Sequence, residues 1–152
     1  MGEIEIRKSL KSLLKLELKL GQTMVEAPQP GFVLNQWGHY DDERLTKRLI
    51  EGFEKLLNEN PGDDYLRFRA AGMLSRARRF TEAESILRAL IAEDGYYGVF
   101  ASEQLPITLW FAGRRDEAQV ALDEHNRPFV AKWIEPRFKK VEEMFKDGRA
   151  EI

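Results

Sequence analysis

The feature that most constrains the fold of this chain is a short turn motif that occurs twice, 35 residues apart. The first copy, Arg78–Ala83, ends one apolar-periodic segment and opens another, and the second copy, Gly113–Ala118, does the same. Leu56 and Leu90, which precede the ends of their segments, are likewise 34 residues apart. A period of about 34 residues that joins a helix, a tight turn and a second helix predicts an all-α chain of stacked antiparallel helix pairs.

Helix start and stop signals place the boundaries of the predicted elements. The acids of Asp41–Glu43 favour a helix start, and Asn60–Gly62 stops that helix. Thr81 and Glu84 have the spacing of a capping box at the start of another helix. The predicted helices cover residues 43–58, 64–77, 81–93, 98–113, 116–126 and 136–147. Because proline removes a hydrogen bond, we expect the helix containing Pro106 to bend there or to begin at about Leu105.

The predicted elements divide the chain into four zones. These are an amphipathic segment over 1–22, an irregular linker with a degenerate first helix over 23–42, helix pairs over 43–128, and a capping helix and tail over 129–152.

The first zone permits two interpretations. Leu16, Leu18 and Leu20 alternate with charged residues, which is a strand pattern, whereas Leu10, Leu14 and Leu18 share one helical face. Helix is favoured, because Leu, Lys and Glu are good helix formers and Gly21 provides a natural stop.

Small residues occur where the two helices of each predicted pair would cross. Ala83 is followed four residues later by Leu87, and Ala118 is followed by Leu122 in the same way. Together with the period, this pattern resembles the tetratricopeptide repeat family, which implies a short right-handed solenoid. The matching units are residues 64–94 and 99–128, with a degenerate unit over 30–61 that has Leu49 at the small position.

The resemblance also implies a concave groove, lined by the first helix of each pair, that holds a peptide from a partner protein. Family members that grip a C-terminal carboxylate use Lys, Asn and Arg at positions where this chain has residues such as Phe68 and Gly72. We therefore expect an adaptor or chaperone-like module for an apolar or amphipathic peptide. The residues expected to bind it are Tyr65, Phe68, Arg76, Phe100, Glu103, Ile107, Trp110 and Phe111.

Three alternatives remain open from the sequence. The groove could be filled by the chain's own segments, either 1–22 or 127–147. Residues 1–22 could instead form a homodimer and make the chain a self-assembling structural protein. Arginines near the turns could bind nucleic acid, although acids are interleaved with them and the net charge is −2. The arginines concerned are Arg67, Arg69, Arg76, Arg78, Arg79, Arg114 and Arg115.

Composition limits the chemistry of the chain. It has no cysteine and only two histidines, His39 and His125, which leaves little material for a metal site. Glycine-rich phosphate loops and the common hydrolase motifs are absent from the sequence, so we expect no catalytic, cofactor-binding or metal-binding residue. The acidic start and the lack of a long apolar run predict a cytoplasmic protein without a membrane span.

Overall fold

The computed structural model describes residues 3–22, 25–26, 38–125, 139, 141–143 and 145–146. The chain is helical, as the sequence predicts, and its helices pack against one another. Residues 141–143 and 145–146 are also helical. The elements in chain order are α1 (Glu3–Gln22), β1 (Val25–Glu26), β2 (Gly38–His39), α2 (Glu43–Glu59), α3 (Asp64–Arg76), α4 (Phe80–Glu93), α5 (Tyr96–Phe111) and α6 (Arg115–His125).

The N-terminal segment adopts the helical alternative. Leu10 and Leu20 of α1 are buried, and Leu13 packs so closely on α2 that a side chain at Gly52 would collide with it. β1 and β2 form a two-residue antiparallel pair, with Val25 opposite His39. The connecting residues 27–37, where the degenerate first helix was predicted, lie outside the described residues.

Aspartates begin α2 and α3 as the sequence indicates. The Asp42 carboxylate accepts a hydrogen bond from the Leu45 N–H at 2.9 Å, and the Asp63 carboxylate accepts one from the Leu66 N–H at 2.9 Å. Each bond satisfies an amide that has no partner within its own helix. These caps fix where both helices start, and therefore which residues face the core.

Two helix pairs, α3 with α4 and α5 with α6, are connected by turns of the same geometry. The Arg79 N–H donates to the Leu74 carbonyl at 2.9 Å, and the Arg114 N–H donates to the Leu109 carbonyl at 2.9 Å. One residue earlier, Arg78 and Gly113 have φ angles of 61° and 82°. A left-handed residue directly after a helix turns the chain back sharply, so the repeated sequence motif produces a repeated turn.

The core consists of two clusters that meet at Ile86. The first contains residues of α1, α2, α3 and α4, and the second contains residues of α3, α4, α5, α6 and the C-terminal helical segment. Ala83 and Ala118 are fully buried. Their predicted partners Leu87 and Leu122 are also buried, with exposures of 0% and 1%. Small side chains at these positions allow the helices to approach closely.

The predicted capping box does not form. Helix α4 begins at Phe80, one residue before Thr81, and Arg79 occupies the cap without a side-chain hydrogen bond. Arg78 has a left-handed conformation, and Arg79 follows it as the N-cap of α4. Thr81 therefore lies in the first turn of the helix and cannot be its cap. Glu84 instead accepts hydrogen bonds from Arg114.

The start of α5 also differs from the prediction. The helix begins at Tyr96 rather than Gly98, and it continues through Pro106 to Phe111. For Pro106, the sequence left two alternatives, a bend in the helix or a helix start at about Leu105, and the second of these is wrong. Pro106 is buried together with Leu105 and Ile107, so the helix passes through the core at the position where proline removes a hydrogen bond.

Part of the predicted C-terminal cap is described. Val141 and Phe145 are buried and belong to the cluster built by α4, α5 and α6. Pro128, Pro136 and the ends of this predicted helix lie outside the described residues.

Candidate functional site

Five aromatic rings gather at the N-terminal ends of α3 and α5. Ring centroids lie 5.6 Å apart for Phe68 and Tyr97, 5.8 Å for Phe68 and Phe100, and 5.3 Å for Tyr96 and Phe100. These separations fall within the range in which aromatic pairs attract each other. We call this cluster the aromatic surface; its members are Tyr65, Phe68, Tyr96, Tyr97 and Phe100.

Helical spacing on two neighbouring helices brings these rings together. Tyr65 and Phe68 are three residues apart on α3, and Tyr96 and Tyr97 lie four and three residues before Phe100 on α5. Residues at these spacings share one face of a helix. Since α3 and α5 contact each other, the two faces merge into one group of rings.

The aromatic surface is open to solvent. Tyr96 is 68% exposed and Tyr65 is 39% exposed, while Phe68, Tyr97 and Phe100 are half-buried beneath them. The half-buried rings pack against the core cluster of α4, α5 and α6 and therefore hold the exposed rings in place. The surface thus presents a preformed aromatic area to water.

Carboxylates border the aromatic surface on one side. Arg67 donates from the same nitrogen to Asp64 and to Glu93, each at 2.6 Å, and so joins the start of α3 to the end of α4. Partial burial raises the pKa of the Tyr97 hydroxyl, and Tyr65, Tyr96, Asp63 and Asp64 raise it further, in that order. The two aspartates therefore lie close enough to the rings to affect them electrostatically.

The structure places the eight predicted binding residues in different environments. Tyr65, Phe68 and Phe100 belong to the aromatic surface, and Phe111 is half-buried against the core. Glu103 and Ile107 are 2% and 0% exposed. These two side chains are buried with most of the C-terminal half of α5, and so they are not on an exposed groove.

Trp110 is covered by the chain's own C-terminal helical residues. The Phe145 ring stacks on it with centroids 4.2 Å apart and planes at 7°, and the Arg115 guanidinium lies 4.6 Å from the Trp110 centroid. Trp110 is consequently only 6% exposed. At this position the self-filled alternative describes the structure, and the tryptophan stabilises the C-terminal segment.

Arg76 is half-buried and lies beside α1. Glu17 of α1 accepts a hydrogen bond from Arg69 at 2.8 Å and lies 4.0 Å from Arg76. Tyr40 donates to the same carboxylate at 3.4 Å, and burial, followed by Glu17, raises the pKa of the Tyr40 hydroxyl. Helix α1 therefore contacts α3 through Glu17, at Arg69 and Arg76, while the rings lie near the N-terminal end of α3.

Tyr96 and Tyr97 were not among the predicted binding residues. The sequence signal was present, because both stand three or four residues before Phe100. It was missed because the helix was expected to begin two residues later, at Gly98, which placed both tyrosines in a loop.

Ion pairs engage the arginines that suggested nucleic-acid binding. Arg79 pairs with Glu82 and Glu54, and Arg114 pairs with Glu84 and Glu117. Arg67 and Arg69 are paired as described above. Carboxylates within the chain therefore partly compensate the positive charge of these four arginines.

Among the residues that the structure describes, no group of three or more His, Asp or Glu side chains could hold a metal ion. No helix within this part of the chain is long and apolar enough to cross a membrane. Comparisons of the chain with models of known families, with curated proteins and with solved structures each found no match.

Proposed function

We propose that this chain is a protein-interaction module whose aromatic surface binds a segment of a partner polypeptide. The observation that carries the proposal is the exposure of Tyr96 and Tyr65, at 68% and 39%, above three half-buried rings. Exposed apolar area held in a fixed arrangement is typical of binding sites. Rigid aromatic side chains also supply large contact area at little cost in conformational entropy.

The two helix pairs support a tetratricopeptide-like arrangement for this module. The turns at Arg78 and Gly113 use equivalent hydrogen bonds, and Ala83 and Ala118 occupy equivalent buried positions. Ser75 and Thr108, 33 residues apart, form a buried hydrogen bond of 3.0 Å between the first helices of the two pairs. We propose that the pairs stack as repeats, with the aromatic surface at one end of their first helices.

Self-association through α1 is a second candidate. It is favoured by the exposure of Ile4 and Leu18, at 71% and 69%, on one face of α1. The residues between them on that face are Lys8, Lys11 and Lys15, all exposed. A symmetric pair would bring these like charges close together, so we favour the aromatic surface as the binding site.

A co-purification experiment from the source cells tests the proposed function. The double variant Tyr65→Ser with Tyr96→Ser removes the two exposed rings, whereas Val120→Ser removes a 55% exposed apolar side chain on α6. We expect the double variant to lose proteins that co-purify with the parent and the Val120 variant to retain them. Circular dichroism checks that all three chains are folded. Identical co-purifying proteins in all three samples would show the assignment to be wrong.

A further inference from the structure

The border of the aromatic surface carries more carboxylates than the ion pairs of Arg67 neutralise. Four carboxylates lie there, two at the start of α3 and two at the end of α4, and Arg67 pairs with one at each end. Asp64 and Glu93 expose 48% and 55% of their side chains, while Arg67 exposes 16%. The cation therefore lies beneath the anions, and the outward face is acidic; the carboxylates are Asp63, Asp64, Glu93 and Asp94.

These carboxylates are adjacent to the most exposed ring. A side chain at Gly95, the residue before Tyr96, would lie 3.8 Å from Asp64 Oδ2. Asp94, the residue before Gly95, is exposed and has a φ of 53°. A ligand that covers the Tyr96 ring would therefore also lie beside fixed negative charge.

On the basis of the proposed function, we propose that the segment bound to the aromatic surface is cationic, with Lys or Arg side chains placed among apolar ones. Its apolar side chains would cover Phe68 and Phe100, and its cations would lie over the Tyr96 ring and beside the carboxylates. A cation is attracted to the face of an aromatic ring as well as to an anion, so the two parts of the surface select the same ligand. An acidic or phosphorylated segment would be repelled.

Two model peptides test the charge of the ligand separately from the existence of the site. Both are fluorescein-labelled helical peptides of about 18 residues, roughly five turns, with leucines on one face. One carries lysine at every polar position, and the other carries glutamate. We expect the lysine peptide to bind the full chain at least about tenfold more tightly, in a salt-dependent way.

A set of isosteric variants locates the charge effect. Asp63→Asn, Asp64→Asn and Asp94→Asn together remove three charges, while asparagine still caps α3, still accepts from Arg67 and tolerates the left-handed conformation of residue 94. The matched control removes three charges elsewhere, with Asp41→Asn, Glu51→Gln and Glu143→Gln, all exposed. We expect the first variant to bind the lysine peptide about tenfold more weakly and the control to bind it as the parent does.

The outcomes separate the two proposals. Equal binding of both peptides, lost from the Tyr65→Ser and Tyr96→Ser variant, would keep the binding surface and overturn the cationic ligand. Binding of the lysine peptide that survives in the tyrosine variant would overturn the aromatic surface itself, and so would failure of the parent to bind either peptide. Light scattering that shows a dimer of the parent and a monomer of the triple asparagine variant would assign the acids to self-association and overturn the inference.

Discussion

At the scale of single residues, the two equivalent turns require the same left-handed backbone conformation of two different residues. Arg78 and Gly113 both adopt positive φ, at 61° and 82°. An L-residue pays about 1–2 kcal/mol for this conformation, whereas glycine adopts it freely. The turn is nonetheless formed in both copies, so the packing of the helices on either side dictates its geometry.

Gly113→Ala tests this interpretation of the turn. A Cβ at Gly113 has no atom within 4 Å, so any loss of stability must come from the backbone conformation. We expect the free energy of unfolding to fall by about 1 kcal/mol. Gly62→Ala is the matched control, since its Cβ also meets nothing within 4 Å and its φ is not in the left-handed range. Urea denaturation measures both; equal stability of the two variants would contradict the account.

At the scale of elements, close helix contacts determine how the pairs fit together. A Cβ at Gly98 of α5 would lie 2.8 Å from the Leu90 carbonyl oxygen of α4, which is a backbone atom and cannot rotate away. A Cβ at Gly72 of α3 would meet only the end of the Arg76 side chain, at 3.3 Å. The same substitution therefore has opposite expected effects in the two helices.

Gly98→Ala should lower the free energy of unfolding by about 1–3 kcal/mol, because α4 and α5 must separate to admit the methyl group. Gly72→Ala should leave stability unchanged or raise it by up to about 1 kcal/mol, since alanine favours a helix interior. Urea denaturation of both variants measures the difference. A Gly98 variant at least as stable as the Gly72 variant would show that α4 and α5 do not approach as closely as described.

Glu84 joins α4 to α6 and makes stability depend on pH. Hydrogen bonds from Arg114, and then from Arg88, hold the pKa of the Glu84 carboxyl below its usual range, although burial opposes them. A lowered folded-state pKa contributes stability that is complete above the unfolded pKa of about 4.3 and is lost as pH falls through the folded value. The contribution near neutral pH is about 1–2 kcal/mol.

Glu84→Gln should therefore be less stable than the parent by that amount at neutral pH. The difference should shrink as pH falls below about 4.3, because the parent then loses the same charge. Denaturation at a series of pH values measures it, with the exposed Glu51→Gln as the control. A difference that stays constant down to the acid limit of folding would contradict the role of the ion pairs.

Sequence patterns predicted the elements better than they predicted the surface. The caps at Asp42 and Asp63 and the turns at Arg78 and Gly113 are local features, so adjacent residues suffice to place them. The covering of Trp110 by Phe145 depends on a segment about 35 residues further along the chain, and no local pattern specifies that contact. The predicted binding list therefore combined exposed rings with residues of the core.

At the scale of the whole molecule, segments near both ends of the described chain pack into the core with the helix pairs. Glu17 of α1 pairs with Arg69 and lies near Arg76 on α3, and Phe145 covers Trp110 on α5. The aromatic surface lies at the opposite ends of α3 and α5 and stays exposed through Tyr96 and Tyr65. Residues of α1 and of the segment 141–146 contribute to the core, and we propose that the exposed rings bind a partner.

Site-specific photo-crosslinking in the source cells tests that claim most directly. A benzophenone amino acid replaces Tyr96 in one sample and Val120 in another, because both positions carry exposed apolar side chains, 68% and 55% exposed. We expect a covalent adduct of higher mass with the Tyr96 probe that is absent with the Val120 probe and is lost when Tyr65 is also changed to serine. Adducts of equal yield at both positions, or an adduct at Val120 alone, would contradict it.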